Sequence, residues 1–357
     1  MATMREVADK AGVSMGAVSR ILNKDPSLSV TAETRQRVLK AAAELGYRQS
    51  VKHNEDKMRN GSLKSILLIL ALSEQEEHAD PYFMQIREGI ERQAAEFNVR
   101  IGGTYRGLGS LGRVHSMELA AENDGIIVIG HINPAEVKAL FPDMEAVVFV
   151  DYKPEFGSFD SVKSDLGAAV KNGIDYLVSL GAERIGFISG QRLQISLSDN
   201  KKLVVAESRA CVFNEYMQQK KRRCKGYVHY LPDWTAQSGY EIMKNIISQG
   251  NLADAYIIGS DMIAMGVMKA CNEMAIKIPE KLKLLSFNDM PGCAFWQPAL
   301  TSVHIETVAM GREAMKLMYE RLQWPRNYPV CMNIPTRLMI RQSTGGKADE
   351  FYGRQLL

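Results

Sequence analysis

The sequence predicts an α/β molecule: two doubly wound halves facing a cleft, preceded by a small three-helix head. Three observations predict it. From Ser65 onward, apolar runs of four to eight residues alternate with helical stretches, the pattern of parallel strands buried on both faces and joined by crossover helices. About ten such strands over roughly 280 residues exceed one comfortable sheet. The first 46 residues have a different rhythm, short helical segments with no strand signal.

Thr3 is placed to cap a helix through Lys10, with Val7, Ala8 and Ala11 on one side. Gly12 supplies a tight turn, and Ser14 caps a second helix through Asn23. Thr31 caps a third, with Glu33 near its positive end, Gly46 as its stop, and Val38, Leu39, Ala42 and Leu45 as its apolar stripe. Residues 47–64 are polar and charged, with a turn signal at Asn60-Gly61-Ser62, and read as a linker. The strand runs are Ile66–Leu72, Arg100–Tyr105, Gly125–Gly130, Ala146–Asp151, Arg184–Ser189, Tyr256–Gly259 and Leu282–Phe287. Helices are expected at Phe83–Phe97, Ala168–Leu180, Arg209–Gln218, Ser238–Gln249 and Asp261–Ala275. The expected division is a head at 1–46, a linker at 47–64, a body at 65–345 and a tail at 346–357.

Composition narrows the function classes. With 46% hydrophobic and 24% charged residues the chain is globular rather than disordered. No run approaches the ~18 apolar residues of a membrane span, and the charged N-terminus is not a secretory signal. Five cysteines (Cys211, Cys224, Cys271, Cys293, Cys331) without CxxC spacing suggest free thiols in a reducing, cytoplasmic setting. Six histidines lack ligand spacing, so no metal is expected, and no nucleophile elbow is present. Gly107-Leu108-Gly109-Ser110-Leu111-Gly112 is a GxGxxG, but it follows a second strand where a dinucleotide fingerprint follows the first. A flexible loop is the simpler reading, and neither a cofactor nor an enzyme is expected. The nineteen methionines read as core filler.

Charge is uneven. Residues 1–60 carry 11 Lys and Arg against 7 Asp and Glu, and the rest carry 33 against 34. A basic head on a near-neutral body suits a polyanion at the head. In the second helix Ala17, Val18, Ile21 and Leu22 form one buried face, leaving Met15, Gly16, Ser19, Arg20 and Asn23 opposite. A helix with a small polar outer face fits a major groove, Arg20 reaching guanine or phosphate and Met15 a thymine methyl. From the pattern alone, a three-helix protein-binding module stays open.

In the body, polar and aromatic residues gather at strand ends and loops: Tyr82, Phe83, Asp165, Arg209, Trp234, Asp261, Asn288 and Asp289. Planar hydrogen-bonding groups with an aromatic face suit a sugar, whose vicinal hydroxyls need bidentate partners. Helix capping is the blander reading for each Asp, above all for Asp261.

These residues also carry a resemblance. Val7-Ala8-Asp9-Lys10-Ala11-Gly12-Val13-Ser14, the Val-Ser-Arg of 18–20 with Asn23, and the Thr-Arg-x-x-Val and Leu-Gly-Tyr of the third helix resemble the headpiece of the lac/gal repressor family. So do Gly181–Ile188, Ser260–Gly266 and Ser286–Asp289 in the body, and Asp80-Pro81-Tyr82-Phe83 with Gln85–Glu91 looks nearest to the galactose-operon and evolved-beta-galactosidase branch. The resemblance implies a helix-turn-helix headpiece and a periplasmic-binding-protein-like effector domain that also dimerises. It implies operator contacts or headpiece-fixing roles for Thr3, Ser14, Met15, Gly16, Ser19, Arg20, Asn23 and Tyr47. It implies an effector-binding arginine at Arg209, a sugar-stacking tryptophan at Trp234, and polar contacts at Asp165, Ser260 and Asn288. The family's minor-groove leucine falls on Asp56 here, and its second stacking aromatic on Thr307, with Trp296 as substitute. The function implied is a homodimeric repressor of a sugar operon, released from a near-palindromic operator by a small sugar; a dinucleotide enzyme or a purine-responsive regulator is the alternative.

Overall fold

The computed structural model describes residues 3–22, 30–45, 63–106, 111–154, 159–199, 201–221 and 226–346. The head comprises α1 (Met4–Ala11), α2 (Met15–Leu22) and α3 (Ala32–Leu45). Thr3 and Glu6 form a reciprocal capping box on α1, and Gly12 ends that helix at φ 66°, a left-handed conformation in which a Cβ is costly. Ser14 accepts from the Ala17 N–H at 3.1 Å and Thr31 from the Thr34 N–H at 3.2 Å, so both expected caps form. Val7, Ala8, Ala11, Val18, Ile21, Val38, Ala41 and Ala42 close the small core. On α3 the buried residues are Val38, Ala41 and Ala42, with Leu45 half-buried against them: Ala41 takes the place expected for Leu39, which is half-buried and outside that cluster. An i, i+3, i+4, i+7 spacing selects it.

The body alternates as expected. Its N-lobe contains β1 (Ser65–Leu70), α4 (Glu74–Ala79), α5 (Pro81–Glu96), β2 (Arg100–Arg106), α6 (Arg113–Glu122), β3 (Gly125–Ile129), α7 (Pro134–Leu140), β4 (Val147–Val150) and β5 (Asp160–Ser164). The C-lobe contains α8 (Leu166–Ser179), β6 (Ile185–Gly190), β7 (Arg192–Ile195), β8 (Lys202–Val205), α9 (Ser208–Gln219), β9 (Val228–Leu231), α10 (Ala236–Ser248), β10 (Ala255–Ile258), α11 (Asp261–Glu273), β11 (Lys283–Asn288) and β12 (Thr301–His304). The chain then returns to the N-lobe for α12 (Thr307–Gln323) and β13 (Cys331–Ile334), and ends in the C-lobe with β14 (Arg337–Met339).

Each lobe is a six-stranded sheet in the same order, β2-β1-β3-β4-β5-β13 and β9-β6-β10-β11-β12-β14. All pairings are parallel except β12–β14. The three crossings between lobes, after β5, β12 and β13, all lie at one edge of both sheets. That leaves the carboxyl ends of β1, β3, β4, β6, β10 and β11 facing one crevice, where ligands bind in such sheets.

The strand count exceeds the expectation. Among the described residues there are fourteen strands, twelve in the sheets and two in the β7–β8 hairpin. Those without an apolar run escaped notice. β5 reads Asp-Ser-Val-Lys-Ser, and its buried ends are hydrogen-bonded polar groups that hydropathy cannot register.

Candidate functional site

On the head, the α2 face expected to meet DNA is open. Met15 is 52% exposed, Gly16 and Arg20 are exposed, and no atom beyond the Ser14 hydroxyl at 3.9 Å stands near a Cβ placed on Gly16. Ser14 and Thr3 both spend a hydroxyl on capping, at helix N-termini of the kind whose backbone N–H groups suit phosphate. Ser19 lies on α2 between Val18 and Arg20. Asn23, Tyr47, Asp56 and the rest of the linker as far as residue 62, Gly107–Ser110 of the glycine-rich segment, and the tail from 347 lie outside the described residues.

In the body, Arg209 opens α9 and is nearly buried. Its Nε donates to Glu207 at 2.9 Å and its Nη1 to the Gly259 carbonyl at 2.7 Å. The guanidinium lies 5.2 Å from the ring centroids of both Trp234 and Phe287, a cation–π setting that holds it planar against the C-lobe strand ends. Two of its five N–H groups are thereby used; the others have no acceptor among the described residues. Trp234 donates from Nε1 to the Gln191 carbonyl at 3.0 Å. Its indole lies across Gly190 and Gly259, at the ends of β6 and β10, where any Cβ would collide with the ring. Asn288 ends β11 at φ 104° and Asp289 follows at φ 56°. This corner beside Phe287 leaves the Asn288 amide with no hydrogen bond among the described residues, while Asp289 is held by His304 at 3.1 Å and Arg341 at 2.7 Å.

The N-lobe supplies the opposite wall. Tyr82 is buried at the start of α5, donates to Asp151 Oδ1 at 2.8 Å, and meets Phe83 edge to face. Burial, and then the neighbouring Asp151 charge, push the Tyr82 phenol well up. Burial likewise raises Asp151, against the pull of Arg192 and Arg209. His131, its ring tilted against that of Tyr152 at 4.4 Å, is driven down to about 2 by burial and by Arg192. Its Nε2 is therefore the bare acceptor for Arg192 Nη1 at 2.6 Å, and its proton sits on Nδ1. Burial opposes ionisation of Glu207, but Arg209 and Arg192 hold its carboxyl below the ordinary range. Arg192 and Arg209 thus stand beside Glu207 on the C-lobe side, with Asp151 opposite on the N-lobe wall.

Of the residues read from the sequence, Tyr82, Phe83, Arg209, Trp234 and Asn288 gather at these strand ends. Asp165 caps α8, accepting from Ala168 N–H at 3.0 Å. Ser260 is the N-cap of α11, accepting from Ile263 N–H at 3.3 Å. Asp261 is not the cap it resembles. It is the first helical residue, fully buried, with its carboxylate on Ser302 Oγ and Met290 N–H, each at 2.8 Å, because Ser260 already occupies the capping position. Thr307 is buried against Gln85 at 2.6 Å, and Trp296 packs over Gly292 in the outer C-lobe core. Asp151, His131, Arg192 and Glu207 went unread. The first two follow the apolar runs of β4 and β3, so the strand-end rule that selected Asn288 reaches them as well; Glu207 stands two residues before Arg209.

No helix of the described residues is long and apolar enough to cross a membrane. Residues 3–50 match the model for bacterial regulatory proteins of the lacI family, and residues 174–344 that of the periplasmic binding protein-like domain. The chain is 35% identical over 353 residues to the HTH-type transcriptional repressor MelR of Bacillus subtilis (strain 168), covering 98% of this chain and 99% of that protein. It is 33% identical over 350 residues to the HTH-type transcriptional regulator GalR of Lacticaseibacillus casei, covering 96% and 100%. Among solved structures, a lac repressor dimer bound to operator and the anti-inducer ONPF shares the fold at TM-score 0.67 and 20% identity, over 96% of this chain and 99% of that one. A transcriptional regulator CelR–cellobiose complex does so at 0.66 and 22%, over 96% and 100%. With an open recognition helix at one end, a two-lobed crevice behind it and likeness running the length of the chain, this protein belongs to the lacI family of bacterial regulatory proteins and is a DNA-binding regulator of transcription.

Proposed function

We propose that the protein is a cytoplasmic homodimeric repressor of a sugar-utilisation operon, released from its operator when a small neutral sugar, best matched by a galactoside, fills the crevice. The observation that carries this reading is Arg209, planar between two rings with N–H groups to spare, beside the unengaged Asn288 amide. A flat fork for vicinal hydroxyls next to an indole face is what a pyranose requires. The balance of Arg192 and Arg209 against Glu207 and Asp151 favours an uncharged ligand over a phosphorylated one. The names of the MelR and GalR relatives and the cellobiose bound to CelR point the same way. In the proposed mechanism the dimer presents α2 twice to two half-sites, and ligand closure across the lobes alters the spacing of the heads. Linkage then requires operator to weaken sugar binding by the factor by which sugar weakens operator binding.

The test is a melting-point screen of the intact chain with D-galactose, methyl β-D-galactoside, D-glucose, D-ribose, hypoxanthine and NAD, followed by operator release with any ligand that stabilises it. A galactoside should raise the melting point and release operator. The Trp234→Ala variant should still bind operator but resist release. Arg20→Ala should lose about 1–3 kcal/mol of operator affinity with sugar binding intact. Stabilisation by hypoxanthine, with tighter operator binding, replaces the reading with a purine-responsive one, which a 26% identical PurR relative of Escherichia coli keeps in view. Stabilisation by NAD replaces it with the dinucleotide reading of the glycine-rich segment.

A further inference from the structure

One piece of the C-lobe is embedded in the N-lobe. Between β6 and α9 the chain leaves Gly190, runs out as β7 and returns as β8 to Glu207 and Arg209. The far end of this hairpin is stitched to the opposite lobe. Ile195 pairs in parallel with Ile132; its N–H donates to the His131 carbonyl at 2.8 Å and its carbonyl accepts from Asn133 N–H at 3.2 Å. The Leu197 carbonyl accepts from Leu111 N–H at 2.6 Å, and its own N–H donates to Glu136 at 2.6 Å. Both side chains are buried in the N-lobe core with Leu67, Ile69, Val128 and Phe149. At the root of the hairpin Arg192 joins His131 of the N-lobe, and lies 3.8 Å from Glu207.

Position gives this contact its meaning. The three crossings sit at the β5/β13 and β12/β14 edge, whereas the hairpin springs from β6, three strands inward, and lands beside β3. Rotation about the crossings separates the lobes most on the far side, where a hydrogen-bonded hairpin cannot lengthen. We infer that the β7–β8 hairpin is a strap that fixes the C-lobe's ligand arm, Arg192 and Glu207–Arg209, against the N-lobe wall, and that Ile195 and Leu197 are positioning residues of the effector site. The strap rides with the N-lobe and flexes at its two roots, so the ligand arm answers to both lobes at once. The inference deepens the proposed effector reading, but its primary test requires no effector.

Hydrogen exchange on the intact ligand-free chain decides it, comparing native protein with Ile195→Ser and with Leu197→Ser, and with Ile195→Val as the conservative control. The expected result is exchange faster by about tenfold or more at Leu111 and Asn133 and, away from the contact, at the cleft-wall amides of Tyr82 and Ala210, while β1 and β3 stay protected. Ile195→Val should behave as native. Acceleration confined to Leu111 and Asn133, with Tyr82 and Ala210 unchanged, overturns the strap and leaves a surface hairpin. Should Ile195→Ser lose protection in β1 and β3 as well, Glu136→Gln, which weakens only the Leu197 N–H anchor, replaces it with the same two outcomes. In a second arm, methyl β-D-galactoside should bind the loosened variants at least about tenfold more weakly. If native protein binds no galactoside, the sugar reading fails while exchange still decides the strap.

Discussion

Lobe against lobe, the body repeats one plan. Both sheets have the same strand order, and both pack a helix pair through reciprocal glycines. In the N-lobe a Cβ on Gly89 of α5 would strike the Val308 carbonyl of α12, and one on Gly311 would strike Ile86. In the C-lobe Gly239 of α10 meets Ile263 and Gly266 of α11 meets Ala236 in the same way. The lobes part company over their buried carboxylates. Asp160 of the N-lobe is fully enclosed and met by two nearly buried arginines, Arg321 at 2.9 Å and Arg326 at 2.7 Å, and by the Val330 N–H. Asp261 of the C-lobe is equally enclosed but receives only uncharged donors, the Met290 N–H and the Ser302 hydroxyl. One topology therefore tolerates two answers to the same electrostatic problem, a compensated ion and a carboxyl pushed toward its neutral form.

That contrast can be broken at three points, in decreasing size of effect. Asp160→Ala strands two arginines in the N-lobe and should lower stability by about 3–5 kcal/mol in urea unfolding; a loss under 1 kcal/mol, about what an exposed ion pair contributes, would mean that water reaches those guanidiniums. The second point concerns Asp261, whose carboxyl burial pushes up to about 6 against its hydrogen bonds from Met290 and Ser302. Between about pH 4 and 6 the unfolded chain gives up this proton before the folded one, so the group's contribution is fully present below pH 4 and is lost as pH rises through 6. The difference in stability between native protein and Asp261→Asn should fall across that window by up to about 3 kcal/mol and be flat above it. A difference that rises with pH would show that the hydrogen bonds, not burial, dominate. Third, Gly311→Ala and Gly266→Ala should each cost about 1–3 kcal/mol by forcing a helix pair apart, despite alanine's better helix propensity. Similar losses in melting curves support the shared plan; a neutral Gly266→Ala would show that α10 and α11 slide where α5 and α12 do not.

Legibility in the sequence followed the range of the contacts. Thr3, Ser14 and Thr31 were readable as caps because each bonds three residues away. Six apolar runs became strands because a parallel strand buried on both faces is apolar throughout, whereas Arg100–Tyr105 is the half-exposed edge strand β2. Arg209, Trp234 and Asn288 were readable through strand ends and the family resemblance. Leu39 was misplaced because one turn of α3 leaves two choices that only packing against α1 resolves. Asp261 was misread because two adjacent polar residues before a helix do not reveal which one caps. The hairpin was not legible, since nothing local in Leu193–Val205 names a partner lobe.

The chain alone determined the basic recognition head, the alternation of strand and helix, and the residue types offered at strand ends, because each depends on neighbours within a few positions. The tertiary structure decided which of those strand-end groups face one another. It paired Asp151 with Tyr82 across 69 residues and carried Ile195 into the opposite core. Such pairings depend on how two sheets close over a common crevice, and no short stretch of sequence carries that information.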